Sequence, residues 1–205
     1  MTSYIEDIYS EYRSTYEFKP DFHISFYEKN SLFFDNIKEF KNKQELKYYI
    51  EIICKYVQAH EQLDHYSLVN ELIEKFQYFI DCEIARLSAN ELKDEWYHEI
   101  SFTKAIASYY LKDYSAAVLI FKNLVLEDNK NDRFKKWLAY SRYGQKTRLI
   151  RTIQIFCGII IAIETIFGSS ILKHGERQFL LITGFFGLLA TIGYEQYVIY
   201  NFRGK

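Results

Sequence analysis

Two apolar stretches near the C-terminal end constrain this 205-residue chain more than any other feature. From Thr152 to Leu172 runs TIQIFCGIIIAIETIFGSSIL, twenty-one residues whose one charge is Glu164. A polar link, KHGERQ, covers Lys173 to Gln178. FLLITGFFGLLATIGY follows from Phe179 to Tyr194 without a charge, and the apolar character continues to Phe202 with only Glu195 interrupting it. About 20 apolar residues suffice to cross the hydrocarbon of a bilayer as a helix. The two stretches are therefore expected to form a helical hairpin that crosses a membrane twice. The competing reading, two buried core helices, needs protein on every side of each helix, and the preceding residues are too few to supply it.

Glycine usage points the same way. Seven of the eight glycines lie at or beyond position 158, and small residues let membrane helices approach closely. Counted outward from the link at about 1.5 Å per residue, Gly158 and Gly193 fall at matching depth. They are the expected contact points of the hairpin, with Gly168, Gly184 and Gly187 as further packing positions. Basic residues flank the pair: Arg142, Lys146, Arg148 and Arg151 before the first stretch, Arg203 and Lys205 after the second. The link carries only Lys173 and Arg177, offset by Glu176. By the positive-inside rule both termini and the preceding body face the cytoplasm. Tyr194, Tyr197 and Tyr200 suit an aromatic belt at that interface. The opening MTSYIEDIYSEYRS is acidic and has no apolar core, so no signal peptide is expected and insertion falls to the hairpin.

The formal net charge of -1 conceals a polarity. Residues 1–129 hold 14 Lys/Arg against 23 Asp/Glu, a net of -9; residues 130–151 hold eight positives against Asp132, a net of +7. An acidic body thus meets the membrane lipid through a basic collar, each cation contributing about 1 kcal/mol near an anionic leaflet. Nucleic acid is excluded as a partner of so acidic a body. Cys54, Cys82 and Cys157 show no CxxC spacing and fit a reducing compartment. The abundance of Lys, Ile, Asn, Tyr and Phe suggests a low-GC bacterial genome, which makes the expected membrane the bacterial inner membrane.

One proline, Pro20, and one glycine, Gly144, in the first 157 residues favour helices over strands and tight turns. Apolar residues recur at helical spacing, predicting helices over 3–18 (ended by Pro20), from about Ser31, over 44–60, from about Leu68 to about Leu87, and over 89–111. Ser88, three residues before Glu91, reads as an N-cap within a capping box. In Ala105 to Asn129, AIASYYLKDYSAAVLIFKNLVLEDN, small and aromatic residues alternate with packing residues. Ala105, Leu111, Tyr114, Ala117, Phe121 and Leu124 fit the order and spacing of a tetratricopeptide (TPR) repeat, which this stretch resembles, and its turn LKDY is similar to the family's LGDY. Asn129 and Ser108 depart from the pattern. A helix from Asn131 to Lys146 would be the next helix or the cap, with Phe134, Trp137, Leu138 and Ser141 facing back. The resemblance implies an all-α, TPR-like solenoid of stacked helical hairpins with a protein-binding surface. The expected division is a cytosolic TPR-like domain at 1–130, a basic juxtamembrane helix at 131–151 and a two-helix transmembrane hairpin at 152–202.

Candidate chemistry is sparse. HEQLDH, His60 to His65, approaches the zincin HExxH, but its second histidine comes at i+5, about 140° round a helix, and falls in an expected turn. Both histidines are expected to be solvated, without metal. His23, His98 and His174 are scattered, and the body has neither a GxSxG serine nor a glycine-rich phosphate loop. No catalytic, cofactor-binding or metal-binding residues are assigned, and the chain is read as no enzyme. Glu164 stands apart: an ionised carboxylate at mid-bilayer costs several kcal/mol. Either it is protonated and hydrogen-bonded across the hairpin or to a neighbouring protomer, or it lines a pore or ion path built from several hairpins. Gln154 and Thr165 are candidates to join it in a polar stripe. Sixteen of the nineteen tyrosines lie in the body; most are expected in the core, and those of the N-terminal segment are candidates for a protein-binding groove. The expected function is a membrane-anchored, non-enzymatic interaction module that recruits a protein partner. The alternative is a small membrane effector that oligomerises into a pore in an antiphage or abortive-infection system.

Overall fold

A computed structural model of the chain describes residues 4–171 and 174–203. Among them are nine helices and no strand. The chain divides into two compact units, residues 1–138 and 139–205.

The first unit begins with α1 (Tyr4–Ser14), whose Ile5, Ile8 and Tyr12 form the expected apolar face and are buried. α1 stops at Ser14, short of the expected Phe18 and ahead of Pro20, which instead opens another helix, α2 (Pro20–Lys29), as its first residue. That position suits proline, because the first helical N–H has no partner in any helix and the fixed φ is already helical. The two short elements α2 and α3 (Ser31–Asn36) are followed by three long helices, α4 (Lys43–Gln62), α5 (Tyr66–Leu87) and α6 (Asn90–Tyr110). α7 (Tyr114–Glu127) completes the series. α4 is central: it packs against α1, α2, α5 and α6. It starts from Asn42, whose side chain accepts from the Glu45 N–H at 3.0 Å while Glu45 Oε2 accepts from the Lys41 N–H at 2.8 Å.

The three long helices end alike. Asp64, Ser88 and Lys112 have positive φ of 61°, 52° and 64° and stand at equal intervals along the chain. At each, the following N–H returns to a carbonyl in the last helical turn: His65 to His60, Ala89 to Ile84 and Asp113 to Ser108, all at 2.9 Å. This is the Schellman ending, usually built on glycine. With Gly144 as its one glycine before the hairpin, the chain uses Asp, Ser and Lys instead. Ser88 is consequently the left-handed cap of α5 and not the N-cap of α6; Ala89 holds that place, with no side-chain cap.

Two apolar clusters fill the unit. The larger joins α1, α2 and α4 to α6 around Trp96, Ile53, Val57 and Ile73. Aromatic stacking is dense within it, Tyr27 lying on Tyr56 at 4.0 Å and Tyr9 on Tyr48 at 3.9 Å. The smaller joins Ala105, Ala117, Phe121, Leu124, Phe134 and Leu138. Tyr66 packs against both. One polar group ties the α3–α4 connection to α5: buried Glu83 accepts the Phe40 N–H at 2.8 Å and is held by Arg86 Nε and Nη2 at 2.9 and 2.6 Å, while Arg86 also donates to the Phe40 carbonyl.

α8 (Asp132–Ile171) is a single 40-residue helix where the sequence predicts a break near Lys146. Its first turns belong to the first unit and the rest to the second. No proline or helix-ending glycine lies between Lys146 and Thr152, so nothing in the local sequence stops it. α9 (His174–Arg203) takes in most of the expected polar link as its own first turn. Lys173 and Leu172 lie outside the described residues.

Candidate functional site

The second unit carries the two helices that are long and apolar enough to cross a membrane. Of their most apolar stretches, 11 % of the first and 6 % of the second is buried, so the chain itself does not enclose them. Ile155, Phe156, Ile159, Ile163 and Ile166 on α8 are exposed, as are Phe179, Ile182, Phe185, Phe186 and Leu189 on α9. Each helix turns one narrow stripe towards the other. On α8 it runs through Gln154, Cys157, Ile161 and Glu164; on α9 through Gly184, Gly187 and Glu195.

The close approach differs from the expected one. A Cβ at Gly184 would stand 2.8 Å from Ile161 Cγ1, and one at Gly187 would stand 2.9 Å from Cys157 Sγ. A Cβ at Gly158 or Gly193 would meet nothing within 4 Å. Depth counted from the link fixes height along the helix but not the direction a residue faces. Gly158 lies about 100° round α8 from Cys157, which takes it out of the seam. The surroundings of Gly168 lie outside the described ones.

The polar residues are also distributed differently. Gln154 Nε2 donates to Glu195 Oε2 at 3.1 Å, closing the hairpin at the end far from the link. Glu195, which interrupts the second apolar stretch, is thus a cross-hairpin acceptor. Thr165 is exposed and donates to the Ile161 carbonyl of its own helix at 2.8 Å, so it does not share a stripe with Glu164. Glu164 is 2 % exposed. Its side chain is covered by this one chain, without a second copy. Arg142, Lys146, Arg148 and Arg151 are all exposed on α8; the Arg203 side chain and Lys205 lie outside the described ones. Tyr194, Tyr197 and Tyr200 are exposed near the end of α9, and the first two stack at 6.2 Å.

In the first unit, Ala105, Ala117, Phe121 and Leu124 meet in the smaller cluster, with Trp137 stacked on Phe121 at 6.0 Å. Tyr114 is half-buried against Tyr109. Leu111, expected as a packing residue, is 43 % exposed because it caps α6 and the chain turns there. Of the N-terminal tyrosines, Tyr4 is exposed with its ring edge-on to Phe33 at 4.9 Å, and Tyr16 is half-buried. Tyr12 is buried with its hydroxyl 3.0 Å from His23 Nδ1. Tyr9 donates to Glu51 Oε2 at 2.6 Å, beside Arg13 on Glu51 Oε1 at 3.1 Å. Burial first, then the Glu51 hydrogen bond and charge, push the Tyr9 hydroxyl up to about 12.

His60, expected to be solvated, is buried, with Nδ1 3.1 Å from His65 Nδ1. No group of three or more His, Cys, Asp or Glu is arranged to hold a metal among the described residues. A cleft of about 200 Å³ opens beside α4 and α6, with Cys54 between Lys47, Glu51, Lys55 and Glu99. That is smaller than the usual small-molecule site.

The chain is thus an all-helical protein with two C-terminal helices of membrane-spanning length and composition. No protein-family model matches it, and neither does any curated protein or solved structure.

Proposed function

We propose that the chain is a membrane-tethered, non-enzymatic interaction module, with α8 and α9 inserted as a hairpin in a bacterial inner membrane and the helical body in the cytoplasm. The observation that carries this reading is the contrast within the second unit. The stripe between α8 and α9 holds Gly184, Gly187, the Gln154–Glu195 bond and Glu164. Large aliphatic and aromatic residues face away from it. In water such a surface is an aggregation liability; in lipid it is the expected one. The exposed Arg142, Lys146, Arg148 and Arg151 then lie at headgroup level, where anionic lipid holds them.

The body is read as TPR-like because Ala105, Ala117, Phe121 and Leu124 share one cluster, as stacked helical hairpins require. Its role on this reading is to hold a protein partner at the membrane. The pore reading draws less support, because enclosure of Glu164 within a single hairpin offers no carboxylate to an assembly of hairpins. Carbonate extraction of membranes from cells expressing the chain tests the anchoring: the protein should stay in the pellet, and recovery in the supernatant would refute it. Fusion of a reporter active only in the cytoplasm, placed at either end, should give signal from both. A potential-sensitive dye separates the two roles, since depolarisation on induction would favour the effector.

A further inference from the structure

The three matching helix ends of the first unit differ in the pair of side chains that closes them: His60 and His65, Ile84 and Ala89, Ser108 and Asp113. In a Schellman ending the side chains at its first and last positions normally make an apolar contact. At the end of α5 those residues are Ile84 and Ala89, both buried. At the end of α4 the equivalent residues are His60 and His65, already joined by a backbone hydrogen bond of 2.9 Å. Two imidazoles thus stand where the same motif, at the end of the next helix, uses hydrocarbon.

The contact between them has a stoichiometry. Nδ1 faces Nδ1 at 3.1 Å, so one nitrogen must carry the hydrogen and the other must be bare. His65 is exposed, whereas His60 is 5 % exposed and its Nε2 is buried with no hydrogen-bond partner. A first added proton can be held on the exposed ring, whose Nδ1–H then donates to a bare Nδ1 on His60. A second places N–H against N–H and puts a charge on a ring that the Tyr56 edge covers at 4.8 Å.

The charged and titratable groups that act on His60 are His65 and Glu28. Glu28 on α2 favours its charged form; burial and then the charge of His65 oppose it and hold His60 below the ordinary imidazole range. Glu61 of its own helix is pushed up by burial, against the pull of Arg133 and with the push of Asp64. Asp64 is engaged by the Tyr66 hydroxyl, and the Tyr66 ring stacks on Tyr110 at 4.5 Å. With the folded value of His60 depressed, its contribution is complete above the unfolded imidazole value and is lost as pH falls from there towards the folded value.

We propose that the α4–α5 turn is an acid-sensitive latch, a His60–His65 contact that holds one proton and opens when both rings are charged. Opening would free Tyr66, the residue packed against both apolar clusters of the unit. The inference is independent of the membrane reading.

Hydrogen exchange on the full chain in detergent micelles, at about pH 7.5 and about pH 5, brackets the imidazole range. After correction for intrinsic exchange, the Asp64 and His65 amides should lose protection by about an order of magnitude. The Ser88 and Ala89 amides of the matching turn should keep theirs. In His60→Ile/His65→Ala, which installs the pair found at the end of α5, the pH dependence should vanish. Unchanged protection in the parent chain, or an equal loss in the double variant, would overturn the latch. Nitrogen-15 spectra of the parent chain need no variant: at neutral pH one protonated Nδ1 should donate to a bare Nδ1. Finding both rings protonated only at Nε2 would refute the shared proton.

Discussion

Glu83 gives the sharpest test of how the first unit is held. Glu83→Ala removes the acceptor of the buried Phe40 N–H, a 2.8 Å bond, and leaves that donor with no group to replace it. An orphaned buried donor costs about 1–3 kcal/mol. Arg86 loses the same carboxylate, but its side chain is 41 % exposed and returns to water with little penalty. The expected loss is therefore about 2 kcal/mol, set by the backbone N–H and not by the ion pair. Glu83→Gln keeps an oxygen in place for Phe40 and should cost less than half as much; Arg86→Met leaves the buried Glu83 carboxylate without its cation and should cost at least as much as the alanine variant. Urea titration of the purified chain in mild detergent, followed by near-ultraviolet circular dichroism of the aromatic cores, reads all three. The pH dependence has a definite sign. The Arg86 hydrogen bond and the Phe40 N–H, outweighing burial, hold Glu83 below the ordinary carboxylate range. Its stabilisation is complete above the unfolded value of about 4.3 and is lost as pH falls through the folded one. If Glu83→Gln is as damaging as Glu83→Ala, or if Glu83→Ala costs under about 0.5 kcal/mol, the ordinary range for surface substitutions, the clamp does not act as described.

Three further outcomes are expected. Ser88→Gly relieves a left-handed non-glycine residue at an exposed position and should raise the urea midpoint by the equivalent of about 1 kcal/mol. Asn42→Ala removes the α4 cap and should lower stability by about 1 kcal/mol in the same titration. Gly184→Leu and Gly187→Leu should force α8 and α9 apart, because even a Cβ there falls under 3.0 Å from Ile161 or Cys157, whereas Gly158→Leu and Gly193→Leu should be tolerated. Energy transfer between labels near Thr152 and Tyr197, measured in detergent, reports the separation; equal effects at all four positions would refute the seam.

What the sequence made legible depended on whether the signal was local. The long helices α4, α5 and α6 announced themselves through apolar spacing, because burial of one face is the same physics in the sequence and in the fold. Helix ends were harder. Ser88 followed by Glu91 satisfies a capping-box pattern, yet the backbone uses Ser88 to leave α5, a choice between two local solutions that the facing core decides. Pro20 shows the same ambiguity, since proline both forbids the preceding residue from staying helical and favours a new start.

The hairpin separates these two kinds of information most clearly. Composition revealed that α8 and α9 suit lipid, and glycine enrichment revealed that they approach closely, but neither reveals rotation about the helix axis. Rotation decides which residues share the seam, and so it decides chemistry. With Gly184 and Gly187 in the seam, Gln154 reaches Glu195 and Thr165 is turned outward to its own backbone. Glu164 is drawn inside the same seam. An acid that the sequence leaves open as pore lining is thereby buried within one chain. Replacing Glu164 with Leu should then disturb the same label separation that Gly184→Leu disturbs, while Glu164→Gln, which keeps a polar group of the same shape, should leave it intact. A carboxylate serving other copies of the chain would give the opposite pattern, with both substitutions silent within one hairpin.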